Sequence, residues 1–231
     1  MRCELARIAE TDDGVEARSA DHPKESRVSL SLPGRAVIFD YGEVISLTPT
    51  EADREALIEI AGVDRDAFWA SYWKHRAELD QGTLSIHDYW RRVEADTGAR
   101  WSESTLHLLW VTDFRGWLSV DTGTIDVLVD LRDGGTRIAL LSNAGADFGS
   151  YFRQGLIGSL FERVFVSGEL LLVKPDAAIF QHALDELGVD AADAVFIDNK
   201  PENVAGAEAL GITGHVFTSA SGLRAFLESL A

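Results

Sequence analysis

Short apolar runs separated by polar, helix-patterned stretches organise this chain. Ala36-Val37-Ile38-Phe39 is apolar at every position, the pattern of a strand buried on both faces. It ends at Asp40 and a turn containing Gly42. The same pattern predicts strands at 137–141, ending in Ser142-Asn143, and at 164–166. Two more are predicted at 194–197, ending in Asp198-Asn199, and at 215–217. Helices fit at 144–154 and at 176–187, where Gly188 supplies a C-terminal cap. A further helix at 201–210 starts on Pro201 and stops at Gly211. Strands alternating with helices predict an α/β fold, a Rossmann-like doubly wound parallel sheet. Polar residues at the carboxyl ends of such strands are where a site forms.

One stretch breaks the alternation. Helical periodicity alone runs from 48 to 134, with helices predicted at 50–61, 64–79, 85–97, 102–117 and 122–132. Thr50, Ser85 and Ser102 fit as N-caps. The block reads as an inserted helical cap over a core made of 35–47 and 135–231. Residues 1–34 are rich in charge and poor in aromatics, and end in a Pro33-Gly34 turn. They are expected to form a mobile extension with at most a helical turn near 5–8.

Composition narrows the partners. The chain has 231 residues, enough for one α/β domain with an insertion. Its 21 Lys and Arg against 38 Asp and Glu leave a net charge of -17. So acidic a surface repels a nucleic-acid backbone and an anionic membrane. A small anionic substrate is still allowed, because local charge can oppose the global field. Cys3 is the single cysteine, so no disulfide forms within the chain and a reducing compartment is expected. No apolar run approaches the ~18 residues of a membrane helix, and no hydrophobic leader is visible, so the expectation is a cytoplasmic protein. Only Lys24, Lys74, Lys174 and Lys200 are lysines, and all six tryptophans lie between Trp69 and Trp117.

Four polar clusters carry candidate chemistry. Asp40 follows a buried strand, where an aspartate can act as a nucleophile; it can equally cap a loop. Ser142-Asn143 precede a predicted helix, where a hydroxyl and main-chain N–H groups can hold a phosphate; a plain N-cap is the bland alternative. Lys174 precedes Pro175, a place where lysines are usually solvated. Asp198-Asn199, with Glu202 and Asn203 following, can offer oxygens to Mg²⁺ or simply form an Asx turn.

Their order in the chain resembles the haloacid dehalogenase-like (HAD) superfamily of hydrolases. Val37-Ile38-Phe39-Asp40-Tyr41-Gly42-Glu43-Val44-Ile45 is similar to its first motif and Leu140-Leu141-Ser142-Asn143 to its second. Lys174-Pro175-Asp176 with Ile179-Phe180 is similar to the third. Val195-Phe196-Ile197-Asp198-Asn199, followed by Glu202-Asn203-Val204-Ala205-Gly206-Ala207 and Gly211, is similar to the fourth. The resemblance spans 35–217, and the helical block is similar to the family's C1-type α-helical cap. It implies that Asp40 attacks a phosphate and forms an aspartyl-phosphate that water hydrolyses. It further implies that Ser142 and the Asn143 N–H bind phosphate oxygens, that Lys174 neutralises charge, and that Mg²⁺ bridges Asp40 and the phosphate. Positioning and charge neutralisation carry most of phosphoryl transfer.

Two positions depart from the family pattern. Many HAD phosphatases carry a second Asp two residues after the first, whose carbonyl binds Mg²⁺ and whose side chain is the general acid. Here that residue is Gly42, which keeps the carbonyl and loses the acid. Glu43, or His75 on the cap, is a candidate replacement. A sugar-1-phosphatase-like branch also carries Gly at this place. The usual metal-binding Asp aligns with Asn199, leaving either Asn199 or Asp198 as the direct ligand.

In the cap, Trp69, Trp73 and Arg76 recur at helical spacing, as do Phe68, Tyr72, His75 and Leu79. Most of this aromatic surface is expected to pack inside the protein. Part of it, with Arg76, is a candidate lining for the site mouth, where aromatic faces suit sugar rings or aryl groups; the family resemblance implies that the Asp80-Gln81-Gly82-Thr83 loop also contacts substrate. The leading expectation is a Mg²⁺-dependent phosphatase of a small phosphorylated metabolite, a sugar phosphate among them. A metal-free 2-haloacid dehalogenase and a catalytically weakened binding protein are the alternatives. Asp198 speaks against the first of these, and the retention of Asp40, Ser142, Lys174 and Asp198 against the second.

Overall fold

Five parallel strands form the sheet, in the order β3-β2-β1-β4-β5. A computed structural model describes residues 30–231; the segment 1–29, with the helical turn expected at 5–8, lies outside the described residues. The strands are β1 Ala36–Phe39, β2 Arg137–Ser142, β3 Arg163–Val166, β4 Ala194–Asp198 and β5 Thr213–Val216. All four residues of β1 are buried. Their side chains alternate between the two faces, as strand geometry requires. Val37 and Phe39 join the cluster on one face with Ile138, Leu140, Val195 and Ile197. Ala36 and Ile38 join the other with Ala139, Leu141, Ala194 and Phe196. Both faces being covered is why β1 reads as an unbroken apolar run.

Ten helices accompany the strands among the described residues: α1 Glu51–Ala61, α2 Arg65–Gln81, α3 Ile86–Thr97, α4 Glu103–Gly116, α5 Thr122–Asp133, α6 Phe148–Gln154, α7 Ser167–Leu170, α8 Ala177–Leu187, α9 Pro201–Glu208 and α10 Ala220–Glu228. Thr50, Ser85 and Ser102 cap α1, α3 and α4 through their side chains. Several boundaries move from their predicted places, two of them with a structural reason. The fifth strand begins two residues early, at Thr213, because an edge strand half-open to solvent lacks the apolar signature. The helix predicted from 144 starts at Phe148. Ala144 instead pairs with the start of α7: the Ser167 hydroxyl accepts from the Ala144 N–H at 2.9 Å, and the Gly168 N–H donates to the Ala144 carbonyl at 3.1 Å.

Helices α1–α4 enclose a core of their own, built on Leu57, Phe68, Tyr72, Tyr89, Trp90 and Leu109. Helix α5 departs from the sequence reading. Its Val127, Leu128 and Leu131 pack beneath the sheet with Val37 and Phe39. Leu30 and Leu32, read as part of the extension, are buried in that same cluster. The Leu32 N–H donates to Thr136 Oγ1 at 2.9 Å. The two strands of chain entering and leaving the cap are tied to each other. Leu47 N–H donates to Ser119 O at 2.7 Å and Asp121 N–H to Ile45 O at 2.9 Å.

The cap meets the core again where α2 ends. Gly82 closes that helix in the left-handed region, at φ 80°, which glycine adopts without steric cost. A Cβ there would sit 2.2 Å from the Gly168 carbonyl oxygen. Gly98 ends α3 at φ 69° with nothing within 4 Å of such a Cβ. Gly98→Ala therefore carries only the left-handed penalty, about 1 kcal/mol, whereas Gly82→Ala adds a backbone clash and is expected to cost about 3 kcal/mol or more. Denaturant midpoints of the two variants check this; equal losses would mean that the Gly82–Gly168 approach is loose.

Candidate active site

Strand register assembles the site. Phe39 pairs with Leu140 on one side and Ile197 on the other. One residue further along, Asp40 is therefore level with Leu141 of β2 and Asp198 of β4. The Asp40 N–H donates to the Ile197 carbonyl at 2.8 Å, which holds the turn against β4.

Lys174 threads between these strand ends. Its ammonium lies 2.8 Å from Asp40 Oδ1 and 2.7 Å from Asp198 Oδ2, and donates to the Leu141 carbonyl at 2.9 Å. An ammonium has three donors, and all three are used. The side chain is fully buried, so the solvated lysine that its place before Pro175 suggested is not what forms. The Asn143 side chain fixes the backbone that carries it. Asn143 Nδ2 donates to Lys174 O, and Lys174 N–H donates to Asn143 Oδ1, each at 2.9 Å. The sequence reading gave Asn143 only its main-chain N–H; the side chain has this second task.

Asp198 is completely buried and fully bonded. Besides Lys174 it accepts from the Lys200 N–H at 2.8 Å and from Asn203 Nδ2 at 2.9 Å. Burial is the largest influence on Asp40. It pushes the carboxyl up to about 6; Lys174 opposes the rise and Asp198 adds to it. Two carboxylates share one ammonium, so the cluster carries a net negative charge when both are ionised. A cation is the natural complement.

A cavity of about 200 Å³ opens over Asp40, between core and cap. Ser142, Asn143, Lys174, Lys200 and Asn199 form its polar floor; Asp198 lies behind it, not in its lining. Of the two alternatives left by the sequence, Asn199 is thus the one that reaches the cavity. Its Oδ1 is buried with no hydrogen-bond partner among the described residues. An orphaned amide oxygen beside an anionic cluster fits a hard cation such as Mg²⁺. No cluster of three His, Cys, Asp or Glu side chains poised for a metal exists among the described residues. The donors that fit are mixed: the Asp40 carboxylate, the Gly42 carbonyl and the Asn199 amide oxygen.

The acid candidates separate. Glu43 reaches the cavity rim, where its carboxylate accepts from Asn199 Nδ2 at 2.7 Å and from Thr48 Oγ1 at 2.9 Å. His75 does not reach it. Its ring sits 2.9 Å from Asp96 Oδ2, on the face of α2 that packs against α3. Ser71, one turn before, bonds to the same carboxylate, so this face of the helix is committed to holding the cap together. Arg76 lines the cavity, but its guanidinium is engaged by Asp80 at 3.0 Å, Tyr72 Oη at 2.6 Å and Asp113 at 3.2 Å.

The tryptophans divide the same way. Trp90 and Trp101 are interior, and Trp101 donates to the Ala61 carbonyl at 2.8 Å. Trp73 and Trp117 face the cavity with Phe148 and Phe152 from α6. Those two phenylalanines were not anticipated as lining. Helix periodicity marks them as apolar, and only the docking of α6 under the cap brings them to the site. Asp80 also lines the cavity. Burial raises its carboxyl above the usual range against the pull of Arg76.

Comparison with known proteins identifies the family and the fold. A model of the haloacid dehalogenase-like hydrolases matches residues 35–211. The sesquiterpene phosphatase astK of Aspergillus oryzae is 26% identical over 182 residues, 78% of this chain and 88% of that protein. The drimenol cyclase drtB of Aspergillus calidoustus is 24% identical over 188 residues, 79% of this chain but only 34% of that protein. A HAD family enzyme from Bacteroides thetaiotaomicron, solved with magnesium and inorganic phosphate, superposes with a TM-score of 0.66 at 20% identity, covering 82% of this chain and 98% of that one. No helix among the described residues is long and apolar enough to cross a membrane. With its four motif segments converging on one cavity, the chain belongs to the haloacid dehalogenase-like hydrolases.

Proposed function

We propose that this hydrolase is a Mg²⁺-dependent phosphatase working through Asp40. The observation that carries the reading is the anionic Asp40–Lys174–Asp198 cluster beside the orphaned Asn199 oxygen. Asp40, the Gly42 carbonyl and Asn199 would hold the metal, which would screen charge between carboxylate and phosphate. Asp40 Oδ attacks phosphorus, the bond to the ester oxygen breaks, and an aspartyl-phosphate forms. Ser142 Oγ and the Asn143 N–H receive phosphate oxygens. Lys174 holds Asp40 ionised and in place despite its burial. Water then attacks phosphorus, releasing phosphate and restoring Asp40.

The ester oxygen must leave without an acid at Gly42. A Cβ at Gly42 would meet nothing within 4 Å, so the gap is one of chemistry and not of space. General acid catalysis contributes roughly 10²–10⁴-fold. An enzyme lacking it is expected to turn over alkyl esters, an isoprenoid phosphate among them, more slowly than aryl esters, by up to about that factor.

The walls point to the rest of the substrate. Polar groups are gathered on the floor, while Trp73 and Trp117 offer apolar faces and Phe148, largely buried, adds an edge; Phe152 backs this wall from within the core. The charged groups that α2 brings over the cavity, Arg76 and Asp80, bond each other, and Arg76 is held by Tyr72 and Asp113 as well. A sugar would leave its hydroxyls with few partners. An apolar body suits the walls better, and likeness to a sesquiterpene phosphatase over most of the chain supports an isoprenoid phosphate. A polar metabolite phosphate is therefore the lesser reading.

The testing experiment assays purified protein on p-nitrophenyl phosphate, farnesyl phosphate and glucose 1-phosphate, with Mg²⁺ and with EDTA. Turnover is expected only with Mg²⁺, and Asp40→Asn is expected to lower it by more than about 10³-fold. Halide release from 2-chloropropionate in EDTA would mean dehalogenase chemistry, and silence in every assay would mean a binding protein. Trp73→Ala is expected to raise KM for farnesyl phosphate roughly tenfold, from about 1–2 kcal/mol of lost aromatic contact, and to leave glycerol phosphate unaffected. Gly42→Asp is expected to raise kcat on alkyl phosphates by about tenfold or more and to change aryl phosphates little; no gain on either would argue that another group already supplies the proton.

A further inference from the structure

Glu43 has a backbone that its side chain type rarely adopts. Its φ is 59°, in the left-handed region, where a residue with a Cβ is unusual and outliers gather at functional sites. The residue is exposed, so no core packing requires it. Its N–H is held by Ser46 Oγ at 3.3 Å, and one carboxylate oxygen accepts from Thr48 Oγ1 at 2.9 Å. The other accepts from Asn199 Nδ2 at 2.7 Å, across 156 residues of sequence.

That contact settles an orientation. A carboxylate accepts and does not donate, so it selects the NH₂ side of the amide. Asn199 Oδ1 is then turned away from Glu43, and it is the buried oxygen without a partner among the described residues. Among the described residues no other hydrogen bond distinguishes the two ends of the amide. A flipped Asn199 would place two N–H donors where a cation needs an oxygen.

We infer that Glu43 is a positioning residue, which holds the Asn199 amide with its oxygen free for the metal. This rests on the metal-dependent reading above. Glu43 does not touch the metal in this account; it acts through Asn199. It also places one negative charge near a ligand that lacks its own. Groups that orient metal ligands typically change affinity by about 10–100-fold when removed.

The test separates this role from a structural one, because Glu43→Gly relieves the left-handed backbone while deleting the carboxylate. Titration calorimetry measures Mg²⁺ binding to the full-length protein without substrate, and thermal melting is followed in EDTA. Glu43→Gly is expected to weaken Mg²⁺ binding by about tenfold or more, with a melting temperature in EDTA equal to or above that of the unaltered protein. Glu43→Gln keeps an acceptor for Asn199 Nδ2 and is expected to recover binding to within about threefold. Unchanged Mg²⁺ affinity in Glu43→Gly overturns the positioning role and leaves the phosphatase reading standing. So does a binding loss in which Glu43→Gln fares no better than Glu43→Gly. An unaltered protein that binds no Mg²⁺ overturns the metal-dependent reading and this inference with it.

Discussion

The buried ammonium of Lys174 is the interaction on which the site depends. Two carboxylates placed level with each other by strand register would repel strongly in a dry setting. Lys174 lies within 2.8 Å of both and spends its third donor on a strand carbonyl. Removing it would leave two buried carboxylates unpaired, a loss far larger than any surface pair carries. The fold protects the arrangement from behind as well as above. Asn143 clamps the Lys174 backbone, and Asn203 and the Lys200 N–H hold Asp198. What is left unsatisfied is one negative charge and one amide oxygen, and both face the same need for a cation.

Around that cluster the molecule divides its labour by layer. The sheet supplies rigid strand ends, where a one-residue slip would move Asp40 off the level of Leu141 and Asp198. The cap supplies Trp73 and the Arg76–Asp80 pair above the cavity. Several contacts fix the distance between layers: the paired crossings at residues 45–47 and 119–121, the approach of Gly82 to Gly168, and the bond from Trp110 Nε1 to Asp147 Oδ2 at 2.8 Å. The aromatic wall is thus held at a set height over Asp40, which is what discrimination between an apolar body and a hydroxylated one needs.

Much of this was legible in the sequence because it rests on local patterns. Buried strands read as apolar runs, and Asp40, Ser142 and Asp198 stand at the strand ends where the runs stop. The four motif segments resemble one family, so Lys174 was named although its position before a proline suggested solvent. What stayed hidden depends on packing between distant segments. Helix α5 has the same periodicity whether it joins the cap or the core, so its place beneath the sheet could not be read. His75 shares its helix face with Tyr72 and by sequence is a candidate acid, whereas Asp96 on α3 claims it. Phe148 and Phe152 looked like ordinary core. The choice between Asp198 and Asn199 required knowing which one the cavity reaches, and the bond from Asn199 to Glu43 joins residues with no shared motif.

The central claim is that Asp40 is the atom carrier in phosphoryl transfer. Acyl phosphates are reduced by borohydride, which converts the aspartate to homoserine. The direct measurement is to quench the enzyme during turnover with Mg²⁺ and an isoprenoid phosphate, reduce it, and sequence the peptides by mass spectrometry. The account predicts homoserine at position 40 only, and none when substrate is omitted. Turnover with Asp40 unmodified, or homoserine at Asp198 instead, would contradict it.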